Sequence, residues 1–180
     1  MRLFIAINFA ESVKDDIEAS ADLLREHSLS GNFSLRENYH ITLAFLGETG
    51  ADKLASVREA MDSCRGQKMR LTLERLGCFG RGDSTIAWRA VKAPRVLWEL
   101  QEQLLKELCR RGFSPDDKKF KPHLTLARQL VLRPGVSLNE LSRVIAPCEF
   151  TAESMELMKS ERVGGKLRYT KLYSRAFREA

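Results

Sequence analysis

The chain has 180 residues, of which 43% are hydrophobic, and it carries a formal net charge of +6 at pH 7. This size suits one compact domain, or two small lobes that share a core. No apolar run approaches the length of a membrane span, and the N-terminus lacks the long apolar segment of a signal peptide. We therefore expect a cytoplasmic protein with no membrane partner, and the basic charge favours a polyanion such as nucleic acid.

Four cysteines are present, and none of them forms a C-x-x-C pair or another spacing typical of zinc ligands. In a reducing compartment they are expected to be free thiols. Cys64, Cys109 and Cys148 stand among apolar neighbours, which favours a packing role for these three.

The first part of the chain alternates strand and helix patterns. Strands show period-two alternation, whereas helices show apolar residues three or four positions apart. In chain order, the patterns predict a strand in RLFIAIN (2–8), a helix with the stripe Val13, Ile17, Ala21 and Leu24, a strand in YHITLAFLGE (39–48), a helix with Leu54, Val57 and Met61, and a strand in MRLTLERLG (69–77).

A turn-rich stretch, CFGRGDS (78–84), interrupts this order, which then starts again. The later patterns predict a strand in STIAWRAV (84–91), a helix that begins at Pro94, carries Leu97, Leu100, Leu104 and Leu108 and ends at Gly112, a strand in PHLTLARQ (122–129), a short helix opened by a capping box of Ser137 and Glu140, and strands in EFTAESMELMKS (149–160) and LRYTKLYSRAF (167–177).

The two parts share an order of elements and a short motif, HITL at 40–43 and HLTL at 123–126. The motif histidines are 83 positions apart (123 − 40 = 83), and the same shift relates apolar positions of the preceding helices. We infer an internal duplication of a β-α-β-α-β unit. The sequence thus predicts one bilobal α+β domain, 1–180, whose pseudo-twofold-related halves (approximately 1–80 and 84–180) line a central cleft with antiparallel-rich sheets.

Period-two geometry places His40 and Thr42 on one face of the first motif strand, and His123 and Thr125 on one face of the second. The same alternation extends these rows to Ala44 and Ala127. A neutral imidazole can take a proton from an attacking oxygen while a charged one protonates a leaving oxygen, as in-line displacement at phosphorus requires. Threonine hydroxyls can donate to the non-bridging oxygens.

Less specific interpretations of these histidines remain open. A single histidine on a strand is usually structural. Two His-x-Thr motifs, each followed by leucine, at matching places in a duplicated framework argue against chance. Two histidines are too few for a zinc site, and no third ligand stands at a suggestive spacing. The remaining histidine, His27, is expected at the surface or as a charge partner at the end of a helix.

The two motifs resemble the H-x-T-x signature of the two-histidine (2H) phosphoesterases. Further similarity lies in RLFIAI at the start, NYHITLAFLGE at 38–48, FKPHLTLAR at 120–128 and SERVGGKLRYTKL at 160–172. Together these stretches resemble the RNA 2′,3′-cyclic phosphodiesterase branch of that superfamily, once called 2′-5′ RNA ligase. The resemblance covers nearly the whole chain.

The resemblance implies a role for each site residue. His40 would be the proton donor to the leaving oxygen and His123 the proton acceptor from water, while Thr42 and Thr125 would hold the phosphate. Arg128 matches a position that approaches the nucleotide, but simple alternation places it in the row of Leu124, so that it needs a bulge to reach the site. Two aromatic residues, Tyr169 and Phe4, are candidates for stacking on a base or for the core.

The resemblance also implies hydrolysis of a 2′,3′-cyclic phosphate at an RNA end to a 2′-phosphomonoester, with reversible 2′-5′ ligation, by a monomer without metal or cofactor. The chain has no G-x-x-x-x-G-K-[ST] loop, in line with a reaction that does not depend on ATP. Two alternatives stay open: a related enzyme acting on another nucleotide phosphodiester, and an RNA-binding module without turnover.

Overall fold

The computed structural model describes residues 1–80, 85–116 and 119–179. Of the predicted break at 78–84, residues 78 and 79 belong to the end of a strand. Residues 81–84 lie outside the described ranges. No helix in these ranges is both long and apolar enough to cross a membrane.

The described chain contains four α-helices and nine strands. The helices are α1 (Glu11–Glu26), α2 (Leu54–Asp62), α3 (Val96–Arg110) and α4 (Leu138–Arg143). The strands are β1 (Arg2–Asn8), β2 (Ser28–Phe33), β3 (His40–Glu48), β4 (Met69–Phe79), β5 (Ile86–Lys92), β6 (His123–Leu132), β7 (Cys148–Ala152), β8 (Ser154–Val163) and β9 (Lys166–Ala176).

All nine strands join one antiparallel sheet in the order β7-β4-β5-β6-β3-β1-β8-β9, and β2 pairs with β6 beside this path. The motif strands β3 and β6 are neighbours in the middle, where a single residue pair, Ile41 with Leu124, connects them. They are therefore not two opposite walls, as the duplication alone had suggested, but adjacent strands at the centre of a curled sheet. The mixed helix and antiparallel-strand content confirms the predicted α+β fold.

Each side of the sheet combines strands from an earlier and a later part of the chain. The strands β8 and β9 extend the sheet beyond β1, whereas β4 lies between β5 and β7. The strand pairs β1–β3 and β5–β6 are equivalent, with Asn8 opposite His40 and Ala90 opposite His123. The division into halves at about residue 80 stays a prediction.

The main core lies between the helices and one face of the sheet. Apolar stripes of α1 and α3 pack there, including Ile17, Leu24, Leu100 and Leu104. The opposite face carries a small separate cluster of Phe4, Ala6 and Met158, with Tyr169 against it. We call this second face, which also bears His40 and His123, the histidine face.

The three longest predicted helices are confirmed. Gly112 ends α3 with a φ of +78°, and the backbone N–H groups of Gly112 and Phe113 donate to the carbonyls of Cys109 and Leu108. These bonds form a Schellman motif, as expected for glycine after a helix. The capping box is wrong in one respect, because the side chain of Ser137 forms no capping hydrogen bond although α4 begins after it.

Two strand predictions are corrected. Residues 28–33 form β2 although their sequence, SLSGNF, lacks a regular alternation, because β2 is held by pairing with β6. The stretch 149–160 is not one strand: it breaks at Glu153, and β7 pairs with β4 while β8 pairs with β1. The remaining predicted strands are found, including β9.

Both motif strands contain a β-bulge, after which the side chains alternate between the two faces of the sheet in the opposite order. Opposite β1, Ala6 pairs with Thr42 and Ile5 with Ala44, so that Leu43 is the extra residue. Opposite β5, Trp88 pairs with Thr125 and Ala87 with Ala127, so that Leu126 is the extra residue. After each bulge, the side chains exchange faces.

The bulges correct the expected polar rows. Ala44 and Ala127 belong to the main core and not to the histidine face. The next residues, Phe45 and Arg128, lie beside the threonines on the histidine face instead. The bulge at Leu126 is thus the one that Arg128 was predicted to need.

Candidate active site

The pairing of Ile41 with Leu124 determines how the motif side chains lie relative to one another. In this antiparallel register, His40 stands opposite Thr125 and Thr42 stands opposite His123. The two histidines are therefore diagonal neighbours on one face, with backbones about 7–8 Å apart in a regular sheet. A phosphorus atom above the centre of this quadrilateral has one imidazole on either side.

Backbone carbonyls orient both imidazole rings in the same way. Nδ1 of His40 lies 2.7 Å from the carbonyl oxygen of Asn38, and Nδ1 of His123 lies 2.6 Å from that of Lys121. Because a carbonyl oxygen only accepts, Nδ1 carries the hydrogen in each ring. In the neutral rings Nε2 is therefore the unprotonated nitrogen, available to take up a proton.

The Thr42 hydroxyl lies 3.0 Å from Nε2 of His40. With the neutral ring, the hydroxyl donates to Nε2; with the charged ring, Nε2–H can donate to the hydroxyl or to a bound oxygen. Thr42 thus shares the position that a substrate oxygen would take next to His40.

Aromatic rings enclose His40. Phe4 lies 4.9 Å and Tyr169 lies 5.2 Å from its ring centroid, and the two aromatic rings contact each other edge to face at 4.8 Å. Phe4 is only 3% exposed and packs against the His40 ring, and its contact with a base stays a prediction. Tyr169 is half-buried and lies on β9.

A different pair of rings encloses His123. Phe79 stands edge-on at 5.0 Å, and Trp88 lies at 6.2 Å from its centroid. Gly77 makes room for the indole, because a Cβ at this position would stand 2.3 Å from the Trp88 ring. Sequence reasoning placed Trp88 on a strand face without connecting it to His123, since that contact depends on the pairing of β4 with β5 and β5 with β6.

Burial lowers the pKa of His40 from its usual value to about 4; the hydrogen bond to the Asn38 carbonyl opposes this effect, while the charges of Arg128 and His123 add to it. Burial likewise lowers the pKa of His123, opposed by the bond to Lys121 and reinforced by Arg128. Arg128 thus acts electrostatically on both rings. At pH 7 both imidazoles are therefore neutral, and the guanidinium near them is positive.

Asn38 is a site residue that sequence reasoning missed. It is buried, its side-chain Nδ2 donates to the Leu167 carbonyl at 2.8 Å, and its Oδ1 accepts from the Tyr169 N–H at 3.3 Å. Because its own carbonyl binds His40, Asn38 connects the first histidine to β9. Its position two residues before His40 was the available signal, but its partners on β9 are distant in sequence.

No cluster of three or more His, Cys, Asp or Glu side chains suited to a metal ion is present among residues 1–80, 85–116 and 119–179. His27 lies at the end of α1, where its Nδ1 is 2.9 Å from the Leu23 carbonyl, away from the other two histidines in the fold.

Comparisons with known proteins agree with this arrangement. Residues 13–164 match the family model of the 2′-5′ RNA ligase superfamily. A curated Archaeoglobus fulgidus protein named RNA 2′,3′-cyclic phosphodiesterase is 35% identical over 76% of this chain and 77% of the relative. The Escherichia coli protein of the same name is 29% identical over 95% of this chain and 93% of the relative.

Solved structures show the same fold. E. coli LigT without ligand superposes with a TM-score of 0.80 at 27% identity, covering 98% of this chain and 97% of that one. A Thermus thermophilus protein gives a TM-score of 0.81 at 23% identity, with 99% of both chains covered. The family model and the curated relatives each span most of the chain, and the paired His-x-Thr strands meet on one sheet face; the chain therefore belongs to the 2′-5′ RNA ligase superfamily of two-histidine phosphoesterases.

Proposed function

We propose that the chain hydrolyses 2′,3′-cyclic phosphate ends of RNA to 2′-phosphomonoesters, using His40 and His123 as general acid and base. The observation that carries this proposal is the matched pair of Nδ1 contacts to the carbonyls of residues 38 and 121, which makes Nε2 the unprotonated nitrogen of both neutral rings on one face. The relatives named RNA 2′,3′-cyclic phosphodiesterase support the substrate class.

Proton transfer in this mechanism balances between the two rings. Nε2 of His123 takes the proton of the attacking water as its oxygen bonds to phosphorus. On the other side of the phosphorus atom the P–O3′ bond breaks, and Nε2–H of His40 protonates the leaving O3′. The product is a 2′-phosphomonoester. His40 ends neutral and His123 ends charged, the reverse of their initial states.

The negative charge of the substrate favours the charged form of His40, which the free site disfavours. Both imidazoles are neutral in the empty site at pH 7, yet the mechanism needs a charged His40. A phosphodiester anion next to His40 favours the imidazolium and raises its pKa, so that substrate and proton bind together. Thr42, Thr125 and Arg128 then hold the non-bridging oxygens.

The ligands of a similar protein support a nucleotide and an anion as ligands of this chain. Structures of E. coli LigT, 27% identical to this chain, have been solved in complex with 3′-AMP and with phosphate. With a 5′-hydroxyl in place of water as the attacking group, the same two histidines would also join a cyclic phosphate to that hydroxyl: the P–O3′ bond breaks, O3′ is protonated, and a 2′-5′ linkage forms without ATP.

Hydrolysis of adenosine 2′,3′-cyclic phosphate in the presence of EDTA tests the proposal. We expect turnover by the wild type, and a loss of about 10²- to 10⁴-fold in kcat for His40→Ala and for His123→Ala. His27→Ala is the matched control, because His27 lies at the end of α1, and it should retain wild-type turnover. Full activity of either motif variant, or a wild type that is inactive in EDTA, would contradict the mechanism.

A further inference from the structure

Two exposed arginines extend the histidine face beyond the candidate active site. Arg2 starts β1 and shares the alternating row of Phe4 and Ala6, which belong to the small cluster on that face. Arg162 lies near the end of β8, two residues beyond Ser160, and Ser160 pairs with Arg2. Arg2 and Arg162 are therefore diagonal neighbours on this face. We call them the arginine pair.

The charges of the arginine pair are not compensated by carboxylates. Glu48 stands opposite Arg2 on β3, but its carboxylate lies 3.3 Å from the amino group of Met1. Arg162 donates from Nη1 to the carbonyl of Gly165 at 3.1 Å. Neither guanidinium has a carboxylate partner within the part of the chain that the structure describes.

Other cations of the β8–β9 hairpin do have such partners. On the opposite face, Lys159 lies 2.6 Å from the carboxylate of Glu161. On the histidine face, the register of β9 places Lys171 opposite Met158, and Lys171 pairs with the buried Glu156 at 3.2 Å. The arginine pair is thus an uncompensated positive surface beside cations that are neutralised.

The arginine pair lies at a distance from the reacting groups. On β1, Ala6 stands opposite Thr42, and Arg2 is four residues away. At a rise of about 3.3 Å per residue, this separation is about 13 Å along the strand. Arg2 and Arg162 are therefore too far along the sheet to be part of the His-Thr quadrilateral.

Tyr169 connects the two positions. It stands opposite Ser160, in the row of Arg2, and its ring contacts the His40 ring at a centroid distance of 5.2 Å. Burial raises the pKa of Tyr169, while the charges of Arg128 and Arg2 lower it. The positive charge next to the histidines and that of the arginine pair thus act on the same ring, along one continuous surface.

A ligand that contacts both ends of this surface needs two separated anionic groups. A nucleoside 2′,3′-cyclic phosphate has only one, whereas an RNA strand carries a phosphate at every nucleotide. Guanidinium groups bind phosphate oxygens through paired, charge-assisted hydrogen bonds, and these donors are largely unused in the arginine pair.

From this arrangement we propose that the arginine pair binds backbone phosphates of single-stranded RNA on the 5′ side of the reacting nucleotide. This inference rests on the proposed function for its reaction and adds a second contact surface to it. The strand lies across β1 and β8, and its 3′ end places the cyclic phosphate between His40 and His123. Since the contacts are to phosphates, they do not depend on base sequence.

The salt dependence of binding tests the arginine pair without catalysis. The probe is a fluorescein-labelled penta-adenylate with a 3′-phosphate, followed by anisotropy from about 50 to 200 mM KCl. Arg2→Gln and Arg162→Gln should each weaken binding about two- to fivefold at low salt. Each should also reduce the slope of log Kd against log salt by about 0.7, the value for one phosphate contact of a single strand.

Two further variants separate this contact from a general effect of charge. Arg2→Lys keeps the positive charge and should keep the wild-type slope. Arg110→Gln removes a 71% exposed arginine in the last turn of α3, on the helix side of the sheet, and should bind the probe like the wild type. Equal slopes for the wild type and the double variant Arg2→Gln/Arg162→Gln, or an equal loss in Arg110→Gln, would overturn the proposal.

Substrate length tests the consequence for the reaction. The wild type should have a higher kcat/KM for penta-adenylate with a 2′,3′-cyclic phosphate end than for adenosine 2′,3′-cyclic phosphate, and the double variant should bring this ratio close to one. A wild-type ratio of one, with the mononucleotide hydrolysed, would end the inference and leave the proposed function standing. Binding through the arginine pair without hydrolysis of either substrate would refute the proposed function and leave the phosphate contacts in place.

Discussion

The two nitrogens of the His40 ring have separate tasks. Nδ1 donates to the Asn38 carbonyl and keeps the ring in one tautomer, while Nε2 meets the Thr42 hydroxyl on the side where a substrate would bind. The carbonyl contact stabilises the charged ring, but burial among Phe4 and Tyr169 disfavours that charge more strongly. In the proposed mechanism, His40 would therefore gain its proton near neutral pH when the substrate anion binds.

This balance predicts a difference between the pH profiles of kcat/KM and kcat. The reactive form has a charged His40 and a neutral His123. Because kcat/KM reports the free enzyme, in which both pKa values lie below 6.5, its bell-shaped profile should have its optimum below pH 6.5. The bound anion raises both pKa values, so the kcat profile should lie at higher pH.

Steady-state rates on adenosine 2′,3′-cyclic phosphate, measured from about pH 4.5 to 9, separate the two profiles. His27→Ala should reproduce the wild-type curves. A kcat/KM optimum above pH 7, or profiles of kcat and kcat/KM that coincide, would show that burial does not determine the ionisation of the site.

At the scale of the elements, local patterns were enough for the long helices and for the motif strands. The leucines of α3 and the alternation of His40, Ile41 and Thr42 are visible without tertiary information. The strand β2 was missed because Leu29 is 65% exposed and the segment is held by its pairing with β6. The bulges at Leu43 and Leu126 were also hidden, since an extra residue is defined only against the partner strand.

Beyond the Leu126 bulge, β6 contains a strained residue directly after Arg128. Gln129 has a φ of +52°, and among the described residues it is the only non-glycine with a positive φ. A side chain in this left-handed region costs about 1–2 kcal/mol. The Gln129 Oε1 accepts a hydrogen bond from Asn32 on β2 at 2.5 Å, which offsets part of that cost. This local turn in β6 directly follows Arg128 and thus helps to set its direction.

Substitution of Gln129 tests this link between backbone and site. Gln129→Gly adopts a positive φ at no steric cost and should stay within about 1 kcal/mol of the wild-type stability. Gln129→Val cannot do so, because a β-branched residue is an outlier there, and it should lose about 1–3 kcal/mol. The valine should also lower kcat/KM toward the value of Arg128→Ala. Urea unfolding and steady-state rates measure both effects; equal behaviour of the glycine and valine variants would refute the role of the turn.

At the scale of the whole molecule, the sequence predicted a duplicated fold. It did not predict which side of the sheet each of the C-terminal strands joins. The stretch 149–160 contributes β7 to one side of the sheet and β8 to the other, on either side of Glu153. No local pattern distinguishes these two destinations, because both strands bury apolar residues on the same core. The exchange joins the two sides covalently, and it brings Tyr169 of β9 next to His40 of β3.

A buried arginine also holds distant parts of the chain together. Arg89 on β5 has no exposed surface. Its Nε and Nη2 donate to the carbonyls of Glu74 and Leu73 on β4, both at 3.0 Å, and Nη2 also reaches the carbonyl of Ala146 at 2.8 Å. Its Nη1 contacts the α1 side chains of Asp16 and, at 3.1 Å, Ser20. All five N–H donors of the guanidinium are thus used, and they connect β5 to three other segments.

Removal of this guanidinium should destabilise the fold far more than removal of a surface charge. Arg89→Met leaves three backbone carbonyls without their donors and should cost about 3–5 kcal/mol. Asp16→Ala should cost less, because the Asp16 side chain is 38% exposed and the carbonyl contacts of Arg89 remain. Arg95→Ala is the matched control, since its 90% exposed side chain forms only a surface pair with Glu99, worth about 0.3–0.5 kcal/mol. Urea unfolding of the three variants gives their order; a loss for Arg89→Met no larger than that for Arg95→Ala would show that the buried network adds nothing to the connection between α1 and the sheet.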